Sequence, residues 1–263
     1  MNATIIALLF IAIIAGVSGT ACAEAVRFKS TEAMFDAGPL MLTGELIKPA
    51  GNGPFPAIVL MHGCVGKTKR QKDWANEFAG WGYVALIVDS FGPRGVREVC
   101  TDSGSMSSAY ASKRVRDAYD ARAYLVGLPF VDAKRIAVVG WSHGGHTVLE
   151  TLRREAADPF QVGVAFYPYC EFIKDFNAPL LILVGDLDDW TPAALCQRSL
   201  SAHKTSREVI LKVYPGAYHA FDADGADTAM KGSGGISHRL KYNPEAATDA
   251  HLQVKEFLGK HLK

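Results

Sequence analysis

The segment Gly140-Trp141-Ser142-His143-Gly144 follows an apolar run and has the pattern G-x-S-x-G. This pattern places a serine on a tight turn between a strand and a helix, where glycines avoid collisions with neighbouring elements. A serine hydroxyl is a weak nucleophile near neutral pH, so acyl transfer needs a general base and a carboxylate that orients this base. Ser142 is therefore predicted to be a nucleophile, and its two partners are expected further along the chain.

The orienting carboxylate is expected in the segment from Gly185 to Pro192, GDLDDWTP, which follows another apolar run. Asp186, Asp188 and Asp189 compete for this role. The spacing G-x-x-D-x-x-x-P favours Asp188. The alternative is that the aspartates only cap the helix that starts near Pro192, for which Thr191 would suffice.

The general base is predicted to be His219, in the segment Pro215-Gly216-Ala217-Tyr218-His219-Ala220-Phe221. Of the eight histidines, it is the only one with both the chain order typical of α/β-hydrolases, after the serine and the acid, and the right context, a loop that follows the last predicted strand. A histidine with only a structural role in this loop is the alternative.

The tetrahedral intermediate of acyl transfer needs two backbone N–H donors. One is expected on the residue after the nucleophile, His143, and the other in the loop after an early strand, at Cys64. We expect His62 to brace that loop by hydrogen bonding. His146 is expected to be an ordinary helix residue.

Two other classes of protein remain as alternatives. A metal-dependent hydrolase would use His143 and His146, which lie three residues apart, but no third ligand has suitable spacing, so no metal site is predicted. A noncatalytic binding protein of the same fold would be expected to lack a member of the triad.

Continuous apolar runs alternate with amphipathic segments, which predicts a mostly parallel, doubly wound α/β sheet flanked by helices. Glycine-rich loops are expected between Ser90 and Ser108 and between Asp222 and Pro244, and they are candidate specificity segments. The predicted strands are Val26 to Ser30, Met41 to Ile47, Pro56 to Met61, Tyr83 to Asp89, Arg135 to Gly140, Val162 to Tyr167, Leu180 to Gly185 and Glu208 to Tyr214.

The segments MHGCVG, VVGWSHGG, LVGDLDDWTP and YPGAYHAFD together resemble the dienelactone hydrolase family of α/β-hydrolases. The resemblance covers most of the chain and implies the α/β-hydrolase fold and hydrolysis of an ester or lactone without a cofactor. Dienelactone hydrolases proper use a cysteine where this chain has Ser142, and the type member has a glutamate where this chain has His62-Gly63. These departures put the dienelactone substrate in doubt and leave ester hydrolysis intact. Peptide or amide hydrolysis by the same triad is the nearest alternative.

The segment Asp89 to Arg94 is similar to the family segment whose arginine holds a substrate carboxylate, so Arg94 is a candidate substrate-binding residue. An arginine paired with a nearby carboxylate of the protein is the alternative. Given the expected fold, disulfides are predicted between Cys170 and Cys196 and between Cys64 and Cys100, because each pair follows strands that end at the same edge of the sheet.

Residues 1–23 are predicted to be a signal peptide, with an apolar core from Ile5 to Val17 and Ala21-Cys22-Ala23 as the cleavage site. The apolar core is shorter than the roughly 20 residues that span a bilayer. Cys22 leaves a lipoprotein as an alternative. The mature protein, residues 24–263, is expected to be a single domain that is periplasmic or secreted, a setting in which disulfides persist.

The composition sets no electrostatic preference for a partner. Lysine and arginine number 28 against 27 acidic residues, which gives a net charge of +1. No partner such as nucleic acid is therefore predicted, nor a stable membrane association after signal cleavage. The expected partner is a small-molecule ester or lactone, and the oligomeric state is left open.

Overall fold

The computed structural model describes residues 22–34, 38–102, 108–170 and 175–262. The predicted signal peptide lies outside these residues except for its last two positions. Among the residues described, no helix has the length and apolar character needed to cross a bilayer.

An eight-stranded sheet forms the centre of the fold, with the strand order β1-β2-β4-β3-β5-β6-β7-β8. Strand β2 is antiparallel to both of its neighbours, and the other strand pairs are parallel. Every residue of β6 and β7 is buried, as expected for apolar strands covered on both faces. The strands are β1 Cys22–Met34, β2 Gly38–Lys48, β3 Phe55–Met61, β4 Val84–Asp89, β5 Val131–Trp141, β6 Val162–Phe166, β7 Leu180–Gly185 and β8 Val209–Tyr214.

Helices cover both faces of the sheet and enclose two apolar cores. Helices α1 and α5 pack on one face, and α2, α3 and α4 supply apolar side chains to the core on the other. Their bounds are α1 Lys69–Gly80, α2 Ser108–Val126, α3 His143–Leu152, α4 Ala193–Ala202 and α5 Pro244–His261. The predicted doubly wound α/β architecture is confirmed.

The strand order reverses at β3, which lies between β4 and β5. In open α/β sheets, ligands bind beyond the carboxyl ends of the strands at such a reversal. The loop after β3, which contains Cys64, and the turn after β5, which contains Ser142, meet at this point. The topology therefore places the two predicted oxyanion segments side by side.

The region from Asp222 to Pro244 differs from the loop that the sequence predicts. It contains an antiparallel hairpin of β9 Asp227–Lys231 and β10 Ser237–Lys241. Most of its side chains are exposed, so it lacks the apolar run that identifies a core strand. The sequence feature that could have indicated this hairpin is a glycine-rich turn between two short polar segments.

Both predicted cysteine pairs are disulfide-bonded. Cys64 is joined to Cys100 and Cys170 to Cys196, at sequence separations of 36 and 26. All four cysteines are buried. The first bond connects the loop after β3 to the segment that follows β4.

Candidate active site

Ser142 stands on a strained turn between β5 and α3. Its φ of 54° and ψ of −115° lie outside the regions that L-residues favour. The turn is tight enough that a Cβ on Gly140 would lie 2.2 Å from the Gly144 carbonyl oxygen, and one on Gly144 would lie 2.0 Å from the Met61 carbonyl oxygen. The two glycines of the motif therefore allow α3 to approach β5 and β3, and this exposes the serine at the end of the sheet.

Ser142, His219 and Asp188 form a continuous hydrogen-bonded chain. His219 Nε2 lies 3.0 Å from Ser142 Oγ, and His219 Nδ1 lies 2.8 Å from Asp188 Oδ2. Because an ionised carboxylate only accepts, Nδ1–H donates to Asp188 and Nε2 accepts from the serine hydroxyl. His219 and Asp188 are each 3% exposed, so bulk water does not compete for these bonds.

Asp188 is the only one of the three competing aspartates in this segment that is buried. Its Oδ1 accepts from the backbone N–H groups of Trp190 and Thr191 at 2.9 and 2.8 Å. Burial alone would raise the pKa of Asp188, but the charge and hydrogen bonds of His219 and these N–H groups bring it below 3.8. The Asp188 carboxylate is therefore ionised at neutral pH and can hold an imidazolium.

The other two aspartates are exposed and bind elsewhere. Asp186 accepts from the backbone N–H of Gly216, and Asp189 accepts from the backbone N–H of Arg239. Thr191, expected as the alternative helix cap, instead has its hydroxyl 3.0 Å from Asp188 Oδ2. Pro192 occupies the N-cap position of α4 and makes no side-chain capping bond.

The two predicted oxyanion donors belong to adjoining segments. His143 directly follows Ser142 and is the first residue of α3. Cys64 lines the same cavity as Ser142 and His219. His62 binds the loop internally, since its Nδ1–H donates to the Gly63 carbonyl and its Nε2 accepts from the Ser90 N–H.

Arg114 on α2 joins these two segments, a role that no motif or spacing in the sequence indicates. Its side chain is fully buried. It donates to the His62 carbonyl oxygen at 2.7 Å and to His143 Nδ1 at 2.6 Å. An arginine on an amphipathic helix is ordinarily expected at the surface, and only the packing of α2 brings it here.

A cavity of about 620 Å³ opens at the Ser142 hydroxyl. It runs between α1 and the segment that follows His219, with the hairpin β9–β10 at its side. The apolar lining includes Trp74, Met230 and Leu240, and the polar lining includes Arg70 and the backbone of Asp222, whose side chain is buried. This volume fits a small molecule.

The position of Arg94 corrects one prediction. Its Nε–H and four terminal N–H groups are all used, by Glu32, Asp117 and the Ser90 carbonyl oxygen. The side chain is 9% exposed, and Arg94 is not among the residues that line the cavity. Arg94 therefore pairs with carboxylates of the protein, the alternative considered above, and has no donor left for a substrate.

His146 lies on α3, and its Nδ1–H donates to the Tyr169 carbonyl oxygen at 3.0 Å. Burial lowers the pKa of His146. The imidazoles of His143 and His146 therefore each bind a different protein group, Arg114 and Tyr169.

Residues 42–262 match the dienelactone hydrolase family. A Bradyrhizobium sp. protein named probable 2-oxo-3-(5-oxofuran-2-ylidene)propanoate lactonase is 27% identical over 237 residues, which cover 82% of this chain and 88% of that protein.

Two solved structures share the fold. The dienelactone hydrolase of Anabaena variabilis has a TM-score of 0.64 at 18% identity and covers 92% of this chain and 99% of its own. Porphyromonas gingivalis dipeptidyl peptidase 4 has a TM-score of 0.64 at 19% identity, over 91% of this chain and 35% of that one. The chain belongs to the dienelactone hydrolase family and is a hydrolase of ester or lactone bonds.

Proposed function

We propose that the chain is a serine hydrolase that cleaves an ester or lactone of a small substrate through an acyl-enzyme. The observation that carries this proposal is the hydrogen-bonded chain from Ser142 Oγ to His219, 3.0 Å, and from His219 to Asp188, 2.8 Å. A noncatalytic protein of the same fold has no need to maintain both bonds in a buried site.

The mechanism follows from the direction of these bonds. His219 Nε2 removes the proton from Ser142 as Oγ attacks the carbonyl carbon, and Asp188 stabilises the resulting imidazolium. The backbone N–H groups of Cys64 and His143 bind the oxyanion. The imidazolium then protonates the leaving alkoxide, and a water molecule activated by His219 hydrolyses the acyl-enzyme. In a lactone, the leaving alkoxide stays attached to the acyl group.

The proposal is tested with p-nitrophenyl esters, lactones and aminoacyl amides, assayed on the wild type and on Ser142→Ala. Ser142→Ala is expected to lose at least about 10³-fold in kcat/KM. Ser199→Ala is the matched control, because the Ser199 hydroxyl is bound to the Cys170 carbonyl, and it should keep wild-type activity. Turnover that persists in Ser142→Ala contradicts the serine mechanism.

Amide or peptide hydrolysis is the second candidate function. The similarity in fold to a dipeptidyl peptidase favours it, and the same triad serves both reactions. The amide arm of the substrate panel separates the two candidates. A kcat/KM for an aminoacyl amide above that for the matching ester would favour the peptidase.

We further propose that the mature protein, residues 24–263, is a single domain exported to the periplasm or beyond. The predicted signal peptide and the two disulfides support export, because disulfides persist in oxidising compartments. The full chain is expressed in a Gram-negative host, and the mass of the periplasmic product is measured. A chain that begins at Glu24 is expected, whereas an unprocessed chain in the cytoplasm contradicts export and a lipid-modified Cys22 indicates a lipoprotein.

A further inference from the structure

Asp222 lies three positions after His219, and its side chain is fully buried. Its Oδ2 accepts from the indole N–H groups of Trp74, at 3.0 Å, and Trp141, at 2.8 Å. Its Oδ1 accepts from the Tyr167 hydroxyl at 2.6 Å. Three buried donors from three distant segments therefore converge on one carboxylate.

Each donor belongs to a segment that carries part of the site. Trp141 directly precedes Ser142. The Tyr167 ring lies 4.6 Å from the His219 ring, and the Tyr167 carbonyl accepts from the hydroxyl of Thr191, which also contacts Asp188. The Asp222 carboxylate thus connects the nucleophile turn, the acid loop and the histidine loop.

The charge of this buried carboxylate is balanced. Arg70 donates to the Tyr167 hydroxyl oxygen at 2.6 Å, and its Nε lies 3.8 Å from Asp222 Oδ1. Burial raises the pKa of Tyr167 well above 10, so this hydroxyl keeps its proton and donates it to Asp222. A buried charge with this set of partners holds its neighbours in one arrangement, because any displacement leaves a donor unsatisfied.

Backbone strain is concentrated at the same junction. Among the residues described, the non-glycine residues with positive φ are Ser142, Tyr167 and Ala220, at 54°, 36° and 60°. Such conformations persist only where the surroundings enforce them. Ala220 lies between His219 and Asp222, so the bonds of Asp222 hold the strained backbone that aims the imidazole.

We propose that Asp222 is a positioning residue that keeps His219 aligned with Ser142 and Asp188. This inference rests on the proposed function, because it assigns to Asp222 a role in the same triad. Asparagine at this position has nearly the same shape, but it presents an N–H₂ donor either to the two indole N–H groups or to the Tyr167 hydroxyl. The histidine loop then loses one of its fixed contacts.

The test compares Asp222→Asn with Asp120→Asn, a matched control. Asp120 is also a buried carboxylate with three donors, from Ser30 and Thr31, but it ties β1 to α2. Asp222→Asn is expected to lower kcat about 10- to 100-fold, with KM changed less than about twofold, since misalignment acts on the reacting groups. Asp120→Asn should lose thermal stability and keep wild-type kcat and KM.

A second readout follows the reactivity of Ser142 directly. The rate at which phenylmethanesulfonyl fluoride labels Ser142 is expected to fall in parallel with kcat in Asp222→Asn. Tyr167→Phe, which keeps the ring beside His219 and removes one hydrogen bond, should show a smaller loss in the same direction. It serves as the test if Asp222→Asn does not fold.

The outcomes separate this inference from the proposed function. Failure of the reagent to label Ser142 in the wild type contradicts the serine mechanism and this inference together. Equal labelling rates and equal kcat in the wild type, Asp222→Asn and Tyr167→Phe overturn only the role of Asp222. A loss of kcat in Asp120→Asn as large as in Asp222→Asn overturns it as well, because the effect would then be one of general stability.

Discussion

Asp188 and its neighbours Asp186 and Asp189 have the same side chain in very different environments. The carboxylate of Asp188 is buried and accepts from His219 and two backbone N–H groups, whereas Asp186 and Asp189 are exposed. A carboxylate can orient a histidine only where water does not replace the imidazole as its partner. Burial therefore supports the proposed role of Asp188, which composition and spacing alone only favoured.

Asp188→Asn is expected to lower kcat/KM by about 10³- to 10⁴-fold, because an amide facing Nδ1 favours the wrong tautomer of His219. Asp186→Asn and Asp189→Asn provide matched controls within the same loop. Their kcat/KM should stay within about twofold of the wild type, since surface substitutions change little. Steady-state kinetics on one p-nitrophenyl ester decides the assignment, and a larger loss in either control would transfer the role to that residue.

At the scale of elements, the contact between α3 and β3 sets the position of Ser142, the proposed nucleophile. The backbone of Gly144 in α3 approaches the carbonyl of Met61, the last residue of β3, so closely that no Cβ fits between them. The helix start and the loop after β3 are therefore held at a fixed separation. The two proposed oxyanion donors depend on that separation.

Gly144→Ala is expected to destabilise the fold by about 3 kcal/mol and to lower kcat, because the added Cβ must push α3 away from β3. Gly259→Ala is the matched control: Gly259 lies in α5, and nothing lies within 4 Å of the point that its added methyl carbon would occupy. Gly259→Ala should raise the free energy of unfolding by up to about 0.8 kcal/mol, through helix propensity alone. Urea unfolding measures both changes, and equal effects of the two substitutions would contradict the close contact.

The two disulfides lie at different distances from the proposed chemistry. Loss of either bond, in Cys64→Ser with Cys100→Ser or in Cys170→Ser with Cys196→Ser, is expected to cost about 3.5 to 4 kcal/mol by the chain-entropy relation. Only the first pair should also lower kcat, because Cys64 supplies a proposed oxyanion donor and its bond holds the loop. Thermal unfolding and ester kinetics test the two effects, and equal kcat in both double variants would show that the bond to Cys100 is not needed to hold the Cys64 N–H in place.

Across the fold as a whole, the buried strands and the segments that contain Ser142, Asp188 and His219 were predictable from local sequence. Strand β7 and the carboxyl ends of β3, β4 and β8 match their predicted bounds because each is an apolar run with a polar or glycine-rich end. The interactions of Arg94 were not predictable in this way. Its partner Glu32 is 62 positions away and reaches Arg94 only when β1 has paired with β2.

The side-chain contacts that join the segments of the site were likewise not predictable from local sequence. Arg114 reaches His62 and His143 across 52 and 29 positions, and Asp222 collects donors from segments as far as 148 positions away. No periodicity or short motif encodes such contacts. They result from the strand order, which brings the ends of β3, β5 and β6 together.

The fold also buries a histidine that stays neutral, and this makes stability depend on pH. Burial, followed by the charge of Arg114, lowers the pKa of His62 well below 6.5. Above about pH 7.5, neither the folded nor the unfolded chain protonates this group to a significant extent. Below it, the unfolded chain binds a proton that the folded chain does not, so stability decreases as pH falls towards the folded-state pKa.

His62→Gln removes this titration, and an amide still offers one donor and one acceptor to the loop. The free energy of unfolding of the wild type should therefore exceed that of the variant by a nearly constant amount above about pH 7.5. The difference should shrink by up to about 1.4 kcal/mol for each pH unit below 6.5. The difference in the free energy of unfolding between the wild type and His146→Gln should also shrink as pH falls, because burial also lowers the pKa of His146. Urea unfolding between pH 5 and pH 8 measures the difference, and a value independent of pH would mean that His62 is protonated to the same extent in the folded and unfolded chains.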